Sequence, residues 1–213
     1  MKKTILSLIM TVAIVSVTFG QEKRYGIERA ILKKNTIMVD ESTLEKQSFS
    51  AVQYIADYGR KEAVETSMDV QGQEFTVSVI MKDGYAYSAN MALGQGIKTN
   101  MVAMGDFKAM NFLDLTDEVK EKYQMEEKEN EQFLGKDCKR YNMTITINGV
   151  SMNGAVWEWQ GLSLRTYMSH ADIIVVEEVT EIQEGAEIAE EKFELPEGID
   201  FIEITPPLFQ LFH

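Results

Sequence analysis

From Arg24 onward, apolar residues recur at every second position in short runs, and no long window shows the three-to-four spacing of a helix. Phe75, Val77, Val79 and Met81 alternate with polar partners; Asp83-Gly84 interrupts, and Tyr85, Tyr87, Ala89 and Met91 alternate again. This spacing predicts a hairpin. A second is expected upstream, where Ser48 to Tyr58 and Arg60 to Val70 flank Gly59, a residue free to take the positive φ of a tight turn. The first strand is expected over Tyr25 to Val39. Downstream, Met143, Ile145 and Ile147 precede Asn148-Gly149, and Ala155, Trp157 and Trp159 share a face of the strand that follows. Leu162 and Leu164 continue after Gly161, and a last long strand is expected near Ile173 to Ile182.

One helix is signalled. Thr116 can cap free amides, Asp117 and Glu118 suit the positive helix end, and Leu115, Val119 and Tyr123 lie four apart. The charged stretch Glu126 to Glu131 reads as a solvated loop or helix end, and Ala186 to Glu191 as a further helical turn. Between Gly94 and Asn111 the chain is rich in Gly and Met, without a clean period, and is expected to be a mobile crossover. The fold class is therefore mainly β: a single curved antiparallel sheet or half-barrel, with one or two short helices as a lid.

The first twenty residues have a positive start (Lys2, Lys3), an apolar run from Ile5 to Val17 and small residues up to Gly20. These are the marks of a Sec signal peptide. The expected organisation is a signal over residues 1–20 and one domain over 21–213, exported to the periplasm of a bacterium or secreted. The apolar run is shorter than a spanning helix needs and no later segment matches it, so the mature chain is not expected to span a membrane.

The net charge of −13 becomes −15 when Lys2 and Lys3 leave with a segment that holds no acids. Such a chain offers no basic patch to phosphate backbones, which argues against a nucleic-acid partner. Cys138 is the lone cysteine, so no intramolecular disulfide forms; it reads as a small buried hydrophobe. His170 and His213 are the only histidines beside it. Neither a nucleophile with an adjacent base nor a ligand cluster at metal spacing emerges, so neither an enzyme nor a cofactor is expected. Thioethers of Met101, Met104 and Met110 could bind Cu(I), but methionine more commonly fills irregular apolar space.

Three segments together carry a resemblance: Gly135-Lys136-Asp137-Cys138-Lys139-Arg140-Tyr141, Val156-Trp157-Glu158-Trp159-Gln160-Gly161-Leu162-Ser163-Leu164, and the ending Phe193-Glu194-Leu195-Pro196-Glu197-Gly198. In order and content the chain resembles the LolA-like superfamily, in a branch known as a domain of unknown function. The resemblance implies an open half-barrel whose concave face is covered by helices, and an apolar ligand such as an acyl chain, a lipid or a lipidated or apolar peptide segment. Residues expected to line the site are Tyr85, Tyr87, Met101, Met104, Phe112, Trp157, Trp159, Leu162 and Leu164. The same aromatic residues could instead fill an ordinary core, leaving an envelope structural or interaction protein. The apolar tail Pro206 to His213 would then be a candidate contact with an envelope protein.

Overall fold

The computed structural model describes residues 23–70, 73–100, 111–147 and 150–204. Strands make up 65% of it and helices 8%, which settles the class as mainly β. The strands are β1 (Ala30–Asp40), β2 (Glu45–Ala56), β3 (Lys61–Val70), β4 (Gln73–Lys82), β5 (Tyr85–Asn90), β6 (Gln95–Asn100), β7 (Glu126–Phe133), β8 (Lys136–Ile147), β9 (Val150–Trp159), β10 (Leu162–His170), β11 (Ile173–Glu184) and β12 (Asp200–Ile204). They form one sheet in the order β12-β6-β5-β4-β3-β2-β1-β11-β10-β9-β8-β7, curved and unclosed. Every pairing is antiparallel except that of β12 with β6.

The alternation of β1 defines the inner face: Ala30, Leu32, Lys34, Thr36 and Met38 are buried, while their neighbours are not. Pairing register carries this parity across the sheet, because directly opposed residues share a face. Tyr25, Ile27, Ala30, Leu32, Ile55, Cys138, Ala155, Trp157, Leu162, Leu164 and Val179 make one buried cluster. Register shifts at Lys33/Lys34 and at Ser163/Arg165 lie beside it. Such bulges re-aim side chains, which lets neighbouring strands feed a common core.

Several expectations are met closely. Asp83-Gly84 turns β4 into β5, and Gly59 (φ +88°) closes the turn between β2 and β3, with Asp57 and Tyr58 also at positive φ. Helix α1 (Asp117–Lys122) starts where the Thr116 hydroxyl accepts from the Val119 amide. It buries no residue, so its apolar side is only partly used.

Others are corrected. Residues 23–29 are not part of β1 but form a strap across the inner face. Glu126 to Glu131 is neither loop nor helix end but most of β7; an edge strand has a partner on one side only and tolerates charge, which also discourages pairing with other chains. The stretch expected as a crossover after Gly94 begins with β6. The short helical turn falls at Glu190–Phe193, slightly later than expected, and is 3-10. The chain then adds β12, for which the alternation along the sequence carries no signal. Asn148-Gly149, the leader, Met110 and the tail from Pro206 to His213 lie outside the described residues.

The ending Phe-x-Leu-Pro has a packing reason. Phe193 joins Ala56, Ala63 and Ile80 in a second buried cluster, with Tyr54, Ile188 and Leu195 against it. Tyr54, Ala63, Ile80 and Tyr87 form one cross-strand row on the outer face. The segment after β11 therefore crosses the outside of the sheet on its way to β12, pinned by Lys61–Glu190, Lys82–Glu194 and Lys192–Glu65 ion pairs.

Candidate functional site

The inner face carries an arrangement that spacing along the chain does not display. Met38 on β1 is opposite Val175 on β11, Val175 is opposite Met168 on β10, Met168 is opposite Gly154 on β9, and Gly154 is opposite Met143 on β8. A row of three methionines thus spans five strands. Gly154 clears the space between two of them, since a Cβ there would collide with Met168 Sδ and lie 3.4 Å from Met143 Cγ.

The same register places Met68, Met81 and Met152 on this face. All six methionines within the described strands are therefore inner-facing. The outer face holds apolar side chains too, including Ile31, Ile37, Tyr54, Ile80 and Val176, yet none of the methionines of the described strands. Unbranched, polarizable thioethers adapt to irregular apolar shapes better than branched or aromatic side chains do.

The strap closes the other half of this face. Arg24 and Tyr25 amides donate to the Tyr58 carbonyl at 2.9 and 3.2 Å, and the Gly26 amide donates to the Gln160 carbonyl at 2.7 Å. Beneath them, Arg24 and Glu62, 4% and 1% exposed, form an ion pair of 2.7 Å. Tyr25 Oη donates to Glu62 at 3.3 Å, and Gln53 Nε2 donates to the other carboxylate oxygen. Burial, reinforced by the Glu62 charge, raises the Tyr25 phenol far above its ordinary range. Burial opposes the Arg24 charge, but Glu62 and Tyr25 outweigh it and the guanidinium is held above its ordinary value.

Residues 111–115 approach the inner face from the β8 side. The Phe112 ring lies 5.9 Å from that of Tyr141, an inner-face residue whose phenol is pushed up to about 12 by burial and the Glu127 carboxylate. The Thr144 amide donates to the Tyr123 carbonyl at 2.8 Å, which ties the end of α1 to β8.

The residues expected to line a site fall into separate places. Leu162, Leu164 and Trp157 are buried in the main cluster, with Trp159 packed against it and Lys136 Nζ 4.2 Å from its ring centre. Tyr85 and Tyr87 lie on the outer face with six strands between their strand and that of the tryptophans, and Tyr87 meets Phe201 edge-on at 5.2 Å. Tyr85 borders a hollow of about 210 Å³ shared with Arg60, Lys82, Phe193 and Glu194. Tyr85 and Tyr87 thus share no surface with Trp157 and Trp159. Met101 and Met104 lie outside the described residues.

Trp157 stands in register between Arg140 and Arg165, its ring centre 5.0 and 4.8 Å from their guanidinium carbons. Its indole N–H donates to Glu131 at 2.7 Å, and Arg140 pairs with the same carboxylate. These two bonds hold the Glu131 carboxyl below the usual range. Its stabilisation is thus complete above the unfolded carboxyl pKa of about 4.3 and is lost as pH falls through the depressed value. An acid transition in tryptophan emission that Glu131→Gln abolishes is the expected result; an unchanged profile in that variant would contradict it.

The remaining chemistry is structural. Cys138 is fully buried, and burial together with the Glu158 charge pushes its thiol up, away from the reactive thiolate. His170 ends β10, with Nδ1 2.9 Å from the Ser151 carbonyl on the far side of the sheet's length from Cys138, so the two form no nucleophile–base pair. Glu158, raised by its own burial, accepts from the Gly161 amide and so braces the turn on which the strap rests.

No family model matches the chain, and no curated protein matches it in sequence. Among solved structures it is similar to an uncharacterized conserved protein from Thermus thermophilus, with 9% identity, 93% of this chain and 99% of that one covered, and a TM-score of 0.51. It is also similar to a LolA superfamily protein from Nitrosomonas europaea (11% identity, 83% and 94% covered, TM-score 0.43). A third is the lipoprotein LppX from Mycobacterium tuberculosis (8% identity, 88% and 99% covered, TM-score 0.42). At these identities the likeness concerns the fold alone: one long, curved, unclosed sheet with few helices.

Proposed function

We propose that the protein is a non-catalytic, exported binding protein that holds an acyl chain, a lipid or an apolar peptide segment against the inner face of its sheet. The observation that carries this reading is the gathering of six strand methionines on that one face, all but Met81 away from the end that the strap crosses. Single methionines fill gaps in a packed face, but a face built for packing alone gains little from gathering flexible side chains, which specify a core poorly. A face that must accept a guest of variable shape gains adaptability from them. The signal-like leader supports a place of work outside the cytoplasm, where a diffusing apolar molecule needs cover from water.

The purified mature chain, residues 21–213, is expected to bind a fluorescent apolar probe saturably at micromolar protein. Changing Met38 and Met168 together to serine should weaken binding by about tenfold or more, the equivalent of about 1.4 kcal/mol, with the fold intact by circular dichroism. Absence of saturable binding to the unaltered protein would refute the proposal.

A further inference from the structure

One polar island lies within the methionine-lined face. Lys34, in the middle of β1, is 6% exposed, and its Nζ lies 3.0 Å from a Glu177 carboxylate oxygen on β11. Thr36 Oγ1 donates to the other oxygen at 3.5 Å, and Thr166 on β10 stands opposite Glu177 in register. All four belong to the inner face. Leu32 and Val179 border them on the strap side, Ala51 stands beside Lys34 on β2, and Met38, Val175 and Met168 border them on the other side.

Stability alone does not account for this pair. Replacing a buried ion pair by apolar side chains of similar volume is commonly neutral or favourable, so a lysine and a glutamate among methionines ask for another explanation. Counting hydrogen bonds supplies one. Each Glu177 oxygen already accepts a bond, whereas the Lys34 ammonium has three N–H groups and one protein acceptor among the described residues. The island is neutral overall and rich in donors.

A guest lying on the methionine row would therefore be recognised there by an acceptor. A free carboxylate would add a third charge beside a neutral pair whose lysine is buried and whose glutamate is half-buried, and it would lose much of its own hydration there. A carbonyl in an ester or amide accepts the same bonds without bringing charge. We infer that Lys34 selects acyl chains joined through a neutral carbonyl, as acyl esters or acyl amides, over free fatty acids, with the Lys34 ammonium donating to that carbonyl and Glu177 holding the local charge at zero. This rests on the reading of the inner face as a binding surface.

The test uses the mature chain loaded with 1-N-phenylnaphthylamine and displaced by twelve-carbon competitors: the monoglyceride, the primary amide, the alcohol and the carboxylate. At about pH 8 the ester and amide should displace the probe at concentrations about tenfold lower than dodecanoate. Dodecanoate should close that gap at about pH 5, where it takes up a proton. Lys34→Met combined with Glu177→Met should keep probe binding but bring ester and alcohol to parity. Glu177→Gln alone, which leaves an unneutralised cation facing the guest, should turn the preference toward dodecanoate. Equal displacement by ester and carboxylate at pH 8, or an ester preference that survives the double change, would overturn the inference while leaving the binding function standing. A probe that never binds would overturn both.

Discussion

Replacing Glu62 by glutamine should lower the stability of the protein by about 3 to 5 kcal/mol, because it removes a carboxylate charge from beside a guanidinium that is almost wholly buried. Arg24 and Glu62 are almost wholly buried at 2.7 Å, in a layer where Tyr25 and Gln53 direct their own hydrogen bonds to the same carboxylate. A neutral amide has an acceptor at only one of the two positions those bonds use, and it restores no charge. A loss of that size is a large part of the roughly 5 to 15 kcal/mol that holds a domain together. Arg24→Met in the Glu62→Gln background should restore about 1.5 kcal/mol or more, since the stranded cation is then gone. Urea denaturation of the four proteins of this cycle measures the coupling directly. A Glu62→Gln cost below about 1 kcal/mol would mean that water reaches the pair and that the strap is only loosely seated.

The strap also shows where reading along the chain reaches its limit. Alternation and turn chemistry are local, and they identify the hairpin at Asp83-Gly84, the strand bearing Trp157 and Trp159, and the cap at Thr116. Tyr25 to Glu28 carries β-prone residues and invites assignment to the first strand. Its backbone partners, however, are Tyr58 and Gln160, distant in the sequence, and nothing near Tyr25 signals them. β7 is hidden for a different reason: a charged edge strand lacks the apolar alternation that a half-buried strand displays.

The binding face illustrates the same limit on a larger scale. Parity within β5 correctly puts Tyr85 and Tyr87 on one side, and parity within β9 does the same for Trp157 and Trp159. Whether the two pairs meet depends on how many strands lie between them, and the crossover from β6, beside the β12 edge, to β7 at the opposite edge sends them far apart. The methionines present the reverse case. Met38, Met143 and Met168 look unrelated along the chain, and only the register of β1, β11, β10, β9 and β8 brings them into line.

Gly161→Ala is expected to be the most damaging single-methyl change in the turns, at about 3 to 4 kcal/mol, as two effects combine. The residue sits at φ +86°, a conformation that costs an L side chain about 1 to 2 kcal/mol. Its new methyl would also strike the Arg24 carbonyl oxygen and lie 3.0 Å from Leu113 Cγ, and a backbone atom cannot swing aside as a side chain can. The strap would have to lift, breaking the bond from the Gly26 amide to the Gln160 carbonyl and admitting water to Tyr25 and Ile27. Gly135→Ala separates these effects, because Gly135 has φ +72° but nothing within 4 Å of its added methyl, and should cost only about 1 kcal/mol. Amide exchange should accelerate at Gly26 in the Gly161 variant and stay slow there in the Gly135 variant. If the two alanines prove equally mild, the strap is not clamped by the turn at Gln160 and Gly161. The methionine row would then lie beside a movable cover, and loss of the strap should change how fast a guest enters more than how tightly it is held.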